Sequence, residues 1–155
     1  GSLLRALVPE QSMREGHGLA LYRHLQANDF GGLEALLRAF FAAIPHQWHV
    51  NNRIADYEGY YASVFHAYLM ALELDVRVED SSASGRLDMA VLFNGNVYLF
   101  EFKVVENASP GAAMAQLRER EYAAKYRNRG EPIHLVGVEF SRKTRNLVRF
   151  EVDRA

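Results

Sequence analysis

Three residues in the stretch GRLDMAVLFNGNVYLFEFKV, residues 85–104, have the types and spacing to do chemistry: Asp88, Glu101 and Lys103. Around them the stretch reads as a hairpin meant for burial. An ionised group in an apolar interior is costly unless it is paired or holds a metal. Two carboxylates on one face repel each other unless one is protonated or a cation sits between them. A hard divalent ion such as Mg²⁺ takes oxygen ligands and keeps several waters, so an acid pair at a sheet end suits it. A neighbouring lysine orients water or offsets charge that develops on a phosphate.

The hairpin decides whether the three can meet. Asn94-Gly95 is a strong type I′ turn signal. With those two residues at the tip, Phe93 pairs with Asn96, Ala90 with Leu99 and Asp88 with Glu101, whose Cβ atoms then lie about 5 Å apart. Lys103, two residues on, shares their face. A tip at Gly95-Asn96 instead sets Asp88 against Lys103, with Glu101 diagonal. Either register gathers all three far from the turn. Leu87, Met89 and Val91 with Tyr98, Phe100 and Phe102 fill the opposite face, and Ala90, Leu92, Val97 and Leu99 complete the shared one. Both faces therefore read as covered. The competing reading is a salt-bridged polar stripe on a half-exposed sheet.

The elements that must position this hairpin follow from periodicity. Residues up to about Pro45 carry helical spacing in GLALYRHLQAND and GLEALLRAFFAAIP. PHQWHVNN is a loop. ADYEGYYASVFHAYLMALEL is a long helix that Asp56 can cap. DVRVED is a short strand, followed by the loop SSASG and the two hairpin strands. Ser109-Pro110 should open a helix running through QLREREYAAKYRNR to Gly130. IHLVGVEF is a strand, SRKTRN a turn and LVRFEV a short last strand. The fold class is α/β, with a helical segment ahead of an αβββαββ core and a mixed sheet.

Composition sets the outer limits. The 155 residues are 49% hydrophobic and 24% charged, with a net charge of −1. That suits one globular domain with a real core and advertises no global basic field. Residues 118–155 hold ten Arg or Lys against six Asp or Glu, a weak basic tail. The absence of cysteine excludes a disulfide scaffold, a thiolate zinc site and a cysteine nucleophile. No apolar run is long enough for a membrane span, and no signal peptide is visible, so a cytoplasmic home is expected. Gly1-Ser2 has the look of a cloning scar, and the chain is expected to be an excised piece of a larger protein.

With an acid on one strand and acid-x-lysine on the next, Asp88 and then Glu101-Phe102-Lys103, the sequence resembles the PD-(D/E)XK nuclease superfamily, whose common core has the same αβββαβ order. It resembles more narrowly the nuclease-like C-terminal domain of proteins that also carry an AAA-ATPase-like N-terminal domain. YEGYYASVFHAYLMALEL, GRLDMAV, VYLFEFKV, AQLREREYAAKY and HLVGVEFSRKTRNLVRFEV carry that likeness. The proline of the superfamily's name is absent, Leu87 standing before Asp88. No Walker A pattern is present either. The resemblance implies a restriction-endonuclease-like core over 51–155, a helical extension over 1–50, and one nuclease-like domain over 1–155. It makes Asp88, Glu101 and the Phe102 carbonyl ligands of Mg²⁺ or Mn²⁺, and Lys103 the residue that positions water. Glu58, on the helix face with Ala62, Phe65 and Leu69, matches an extra acid of many members, and its other reading is a first-turn glutamate favoured by the helix dipole. Gln116 matches a glutamine near the site in relatives, or is an ordinary helix-surface glutamine. Nucleic acid, DNA foremost, is the implied substrate, and the ATPase-like domain the implied partner, with the oligomeric state left open.

Weaker signals remain. His46 and His49 are half a metal site or a surface loop. Tyr60, Tyr61, Tyr68, Tyr122 and Tyr126 read as core packing with hydroxyls at the rim. Arg118, Arg120, Arg127, Arg129, Arg142, Lys143 and Arg145 track phosphates or form a solvated basic face.

Overall fold

The computed structural model describes residues 19–45, 47, 58–81, 86–119 and 122–155. A helix over 19–27 (α1) is followed by α2 (Phe30–Ala42) and α3 (Glu58–Ala71). The strands are β1 (Asp75–Ser81), β2 (Arg86–Phe93), β3 (Asn96–Val104), β4 (Ile133–Ser141) and β5 (Asn146–Arg154). Between β3 and β4 lie a 3-10 turn, Val105–Asn107, and two short helices, α4 (Ala112–Glu119) and α5 (Ala124–Arg127). The sheet order is β1-β2-β3-β4-β5, antiparallel throughout except for the parallel pair β3–β4. That pair is the expected consequence of a helical crossover.

Local chemistry explains the main boundaries. Asp29 caps α2 by accepting the Gly32 N–H at 3.0 Å, and Leu33, Leu36, Leu37 and Phe41 form its buried stripe. At the hairpin tip Asn94 and Gly95 have φ of 52° and 74°, the two positive angles a type I′ turn requires. Phe93 accordingly pairs with Asn96, as the Asn94-Gly95 register predicts.

The sheet separates two cores. On one face α1, α2 and α3 pack against Met89, Val91, Tyr98, Phe100, Phe102, Val136, Val138 and Phe140. Aromatic contacts dominate there: Tyr61 stacks on Phe140 at 4.4 Å, and the Phe65 ring sits 5.2 Å from Phe100 and 5.5 Å from Phe102. On the other face α4 and the segment around α5 cover Ala90, Leu92, Val97, Leu99, Ile133 and Leu135 with Met114, Leu117, Tyr122 and Tyr126. From Val97 onward β3 is buried at every position, as is all of β4, the pattern of central strands covered on both sides.

Three expectations need correction. The helix after the hairpin does not begin at Ser109-Pro110, because Gly111 has φ of 86° and cannot continue a right-handed helix. It starts at Ala112 with its first N–H groups held from a distance: the Glu139 carboxylate accepts from Gly111 N and Ala113 N, each at 3.2 Å. Nor is it continuous to Gly130, since α4 ends at Glu119 and a separate turn of helix, α5, follows. The last strand is longer than expected, nine residues rather than the six of LVRFEV. The Asp56 cap, the His46–His49 spacing and Arg120 lie outside the described residues.

Candidate active site

The site is assembled on the face that α4 covers, at the end of β2 and β3 away from the turn. Pairing between these strands runs from Phe93–Asn96 to Met89–Phe100, and Asp88 and Glu101 are next in that register. Alternation then puts Asp88, Glu101 and Lys103 on the face of Ala90 and Leu99. In the parallel ladder Glu101 neighbours Gly137 and Lys103 neighbours Glu139. All three charged residues are buried, Asp88 to 3%, Glu101 to 1% and Lys103 to 6% relative exposure, so they are not a solvent-facing stripe.

Lys103 joins two of the acids. Its Nζ lies 3.5 Å from Glu58 Oε2 and 4.0 Å from Glu101 Oε1. Glu58 is the first residue of α3, which packs on the opposite face through Ala62, Phe65 and Leu69, and its carboxylate nonetheless meets the Lys103 ammonium. These are charge pairs rather than tight hydrogen bonds. Held out of water, such pairs are far less screened than surface ones.

Gly137 explains how α4 comes so close. A Cβ placed there would stand 2.8 Å from Met114 N and 3.2 Å from Met114 Cα. Only glycine beside Glu101 lets the helix end rest on the sheet. Glu139, next in line, then grips that end. Gln116 stands half-buried one turn beyond Ala113 on α4. The Phe102 ring turns away from the carboxylates into the aromatic core, 5.5 Å from Phe65, leaving its backbone between Glu101 and Lys103.

The tyrosines depart from expectation. Those assigned to packing are buried, but the hydroxyls of Tyr60, Tyr68 and Tyr122 are buried too rather than set at the rim. Tyr122 is the one that concerns the site. Its ring packs with Ala90 and Leu99 on the face that carries Asp88 and Glu101, and burial first, then Tyr126, Asp88 and Glu101, push its pKa above the ordinary phenol value. No sequence pattern distinguishes this tyrosine from its neighbours. Among the basic residues, Arg118 pairs with Asp153, Arg129 with Glu131 and Arg142 with Glu106, so these guanidiniums are partly neutralised.

A family model for the PD-(D/E)XK nuclease superfamily matches residues 56–150, from just before α3 into β5. The chain belongs to the PD-(D/E)XK nuclease superfamily. Its α/β order and mixed five-stranded sheet are a restriction-endonuclease-like fold. The chain is also 60% identical, over 151 residues, to an uncharacterized protein in the vnfD 5′ region of Azotobacter chroococcum mcd 1. The match covers 97% of this chain and 29% of that protein, so the chain spans under a third of its relative's length. No solved structure matches.

PD-(D/E)XK nucleases generally use divalent metals. The donor set here fits such an ion in kind: the carboxylates of Asp88 and Glu101 are buried on one face and present hard oxygens. Among the described residues, however, no three His, Cys, Asp or Glu side chains cluster as a metal site. An ion here would rest on two carboxylates, with backbone and water oxygens completing its shell, the usual manner of Mg²⁺. Among the described residues no helix is long and apolar enough to cross a membrane.

Proposed function

We propose that the chain is a divalent-metal-dependent nuclease domain that hydrolyses phosphodiester bonds of nucleic acid, DNA foremost. The observation that carries the reading is the buried grouping of Asp88, Glu101 and Lys103 on one face of adjacent strands in a chain of this superfamily. Asp88 and Glu101, with the Phe102 carbonyl, would hold Mg²⁺ or Mn²⁺. When bound, the ion polarises the phosphodiester and makes water more acidic. Lys103, steadied between Glu58 and Glu101, positions the attacking water and offsets charge that grows on the phosphate. Glu58 fixes the ammonium, and Gln116 borders the substrate from α4. The ATPase-like domain is the partner we infer in the same polypeptide, a reading supported by the relative's greater length.

A second reading, a binding module that keeps the fold without cutting, draws on the lack of a third clustered ligand among the described residues. Cleavage of single- and double-stranded DNA and RNA, measured beside metal titration, separates the two. Wild type is expected to cut with Mg²⁺ or Mn²⁺ and poorly with Ca²⁺, whose looser coordination orients water less well. Lys103→Ala should cut about 10²–10³-fold more slowly while retaining metal binding, the usual effect of removing one preorganised charge-stabilising group. Glu101→Ala should lose both. Wild type that binds metal and cuts none of the four substrates would establish the binding module.

A further inference from the structure

Tyr122 packs on the face of the sheet that carries the two carboxylates. Its ring is packed in the same cluster as Ala90, Leu99, Met114 and Leu117. Ala90 and Leu99 are the residues next to Asp88 and Glu101 on that face of β2 and β3. The Lys125 ammonium lies 5.7 Å from the ring centroid. Tyr122 is 8% exposed, and its Oη is buried with no hydrogen-bond partner among the described residues. A buried hydroxyl in that condition is uncommon, and phenylalanine would fill the same space without the penalty. A phenol is an uncharged donor at neutral pH, and this one is packed on the face that carries the two acids.

We propose that Tyr122 is a substrate-contacting residue: its hydroxyl donates a hydrogen bond to a non-bridging oxygen of a phosphodiester seated against Asp88, Glu101 and Lys103. This rests on the nuclease reading and extends it. A phosphate offers only acceptors, so it satisfies a donor that the folded chain leaves over. A phenol also adds this contact without a positive charge that would compete with a cation for the carboxylates. Lys103 then supplies charge and Tyr122 direction.

The test compares wild type with Tyr122→Phe in three measurements: melting temperature without metal, Mn²⁺ affinity by titration calorimetry, and binding of a fluorescent DNA oligonucleotide in Ca²⁺. The expected result is an unchanged or higher melting temperature, Mn²⁺ affinity within twofold, and oligonucleotide binding weaker by about tenfold, the worth of one hydrogen bond to a charged acceptor. A melting temperature lowered by several degrees would overturn the proposal by showing an acceptor within the protein. Weaker Mn²⁺ binding with unchanged oligonucleotide binding would also overturn it, placing the hydroxyl on a carboxylate. So would oligonucleotide binding equal in the two proteins. Should wild type bind the oligonucleotide but cut nothing, the nuclease reading fails while this comparison still reports on Tyr122.

Discussion

The two faces of β3 are built from one strand and opposed principles. On one, Tyr98, Phe100, Phe102 and Val104 enter an aromatic core under α3 with no charge among them. On the other, Val97 and Leu99 are apolar at the turn end, and Glu101 and Lys103 are charged at the far end, all of them buried. The first face returns stability for each side chain buried, about 1.5–3 kcal/mol for a phenylalanine. The second gives up part of that gain at its far end, where the carboxylates repel and desolvation opposes their charge. The contrast teaches that in this fold the site is tolerated because the opposite face is so well packed. The plane of the sheet separates an uncharged aromatic core from a smaller apolar core that also holds the buried charges.

The strongest way to break that division is to cut into the aromatic face. Phe65→Ala, which removes the ring between Phe100 and Phe102, is expected to lower unfolding free energy by about 3–5 kcal/mol in denaturant titration. A loss below 1 kcal/mol would mean that this face does not carry the fold. A smaller cost, about 1–3 kcal/mol, is expected from Gly137→Ala, because the added methyl must push back the Met114 backbone. Since α4 covers the charged face, this variant should also alter near-ultraviolet signals from Tyr122 and Tyr126, and unaltered signals would mean that the helix does not shift. The least destabilising change should be the one at the site. Asp88→Asn removes one of two neighbouring buried carboxylates, so without metal the melting temperature should stay level or rise. Mn²⁺ should raise the wild-type melting temperature more than the mutant's, as a ligand of the folded state does. Equal responses would move the ion away from Asp88.

Much of this arrangement is legible in residue order because it is local. Asn94-Gly95 sets the hairpin register, and strand alternation then places Asp88, Glu101 and Lys103 on one face without reference to the rest of the chain. The two apolar sets on either side of the hairpin are separated by the same count. Glu58 falls near Lys103 because helical spacing ties it to Ala62 and Phe65, which the sheet buries. What escapes the sequence is set by distance along the chain. The start of α4 is fixed by Glu139, whose carboxylate reaches back to Gly111 and Ala113 from another strand. Ser109 and Pro110 carry the usual local signals for that start and are overruled by a tertiary bond and by the φ of Gly111. The position of the Tyr122 hydroxyl depends on where the chain turns between α4 and α5, which helical periodicity does not encode.

The parallel β3–β4 seam also has a kinetic meaning. The antiparallel ladders join strands that follow one another through short connections, at β2–β3 and β4–β5 above all, and such contacts close small loops. The seam cannot form until the whole crossover between Val104 and Ile133 has been drawn in, and contacts of long sequence separation are the slow ones. Asp88 and Glu101 belong to the early unit. Gly137 and Glu139, which seat and grip α4, belong to the late one. Refolding chains should therefore pass through a stage in which the carboxylates already face each other but still lie open to water, before the helix arrives to wall them in.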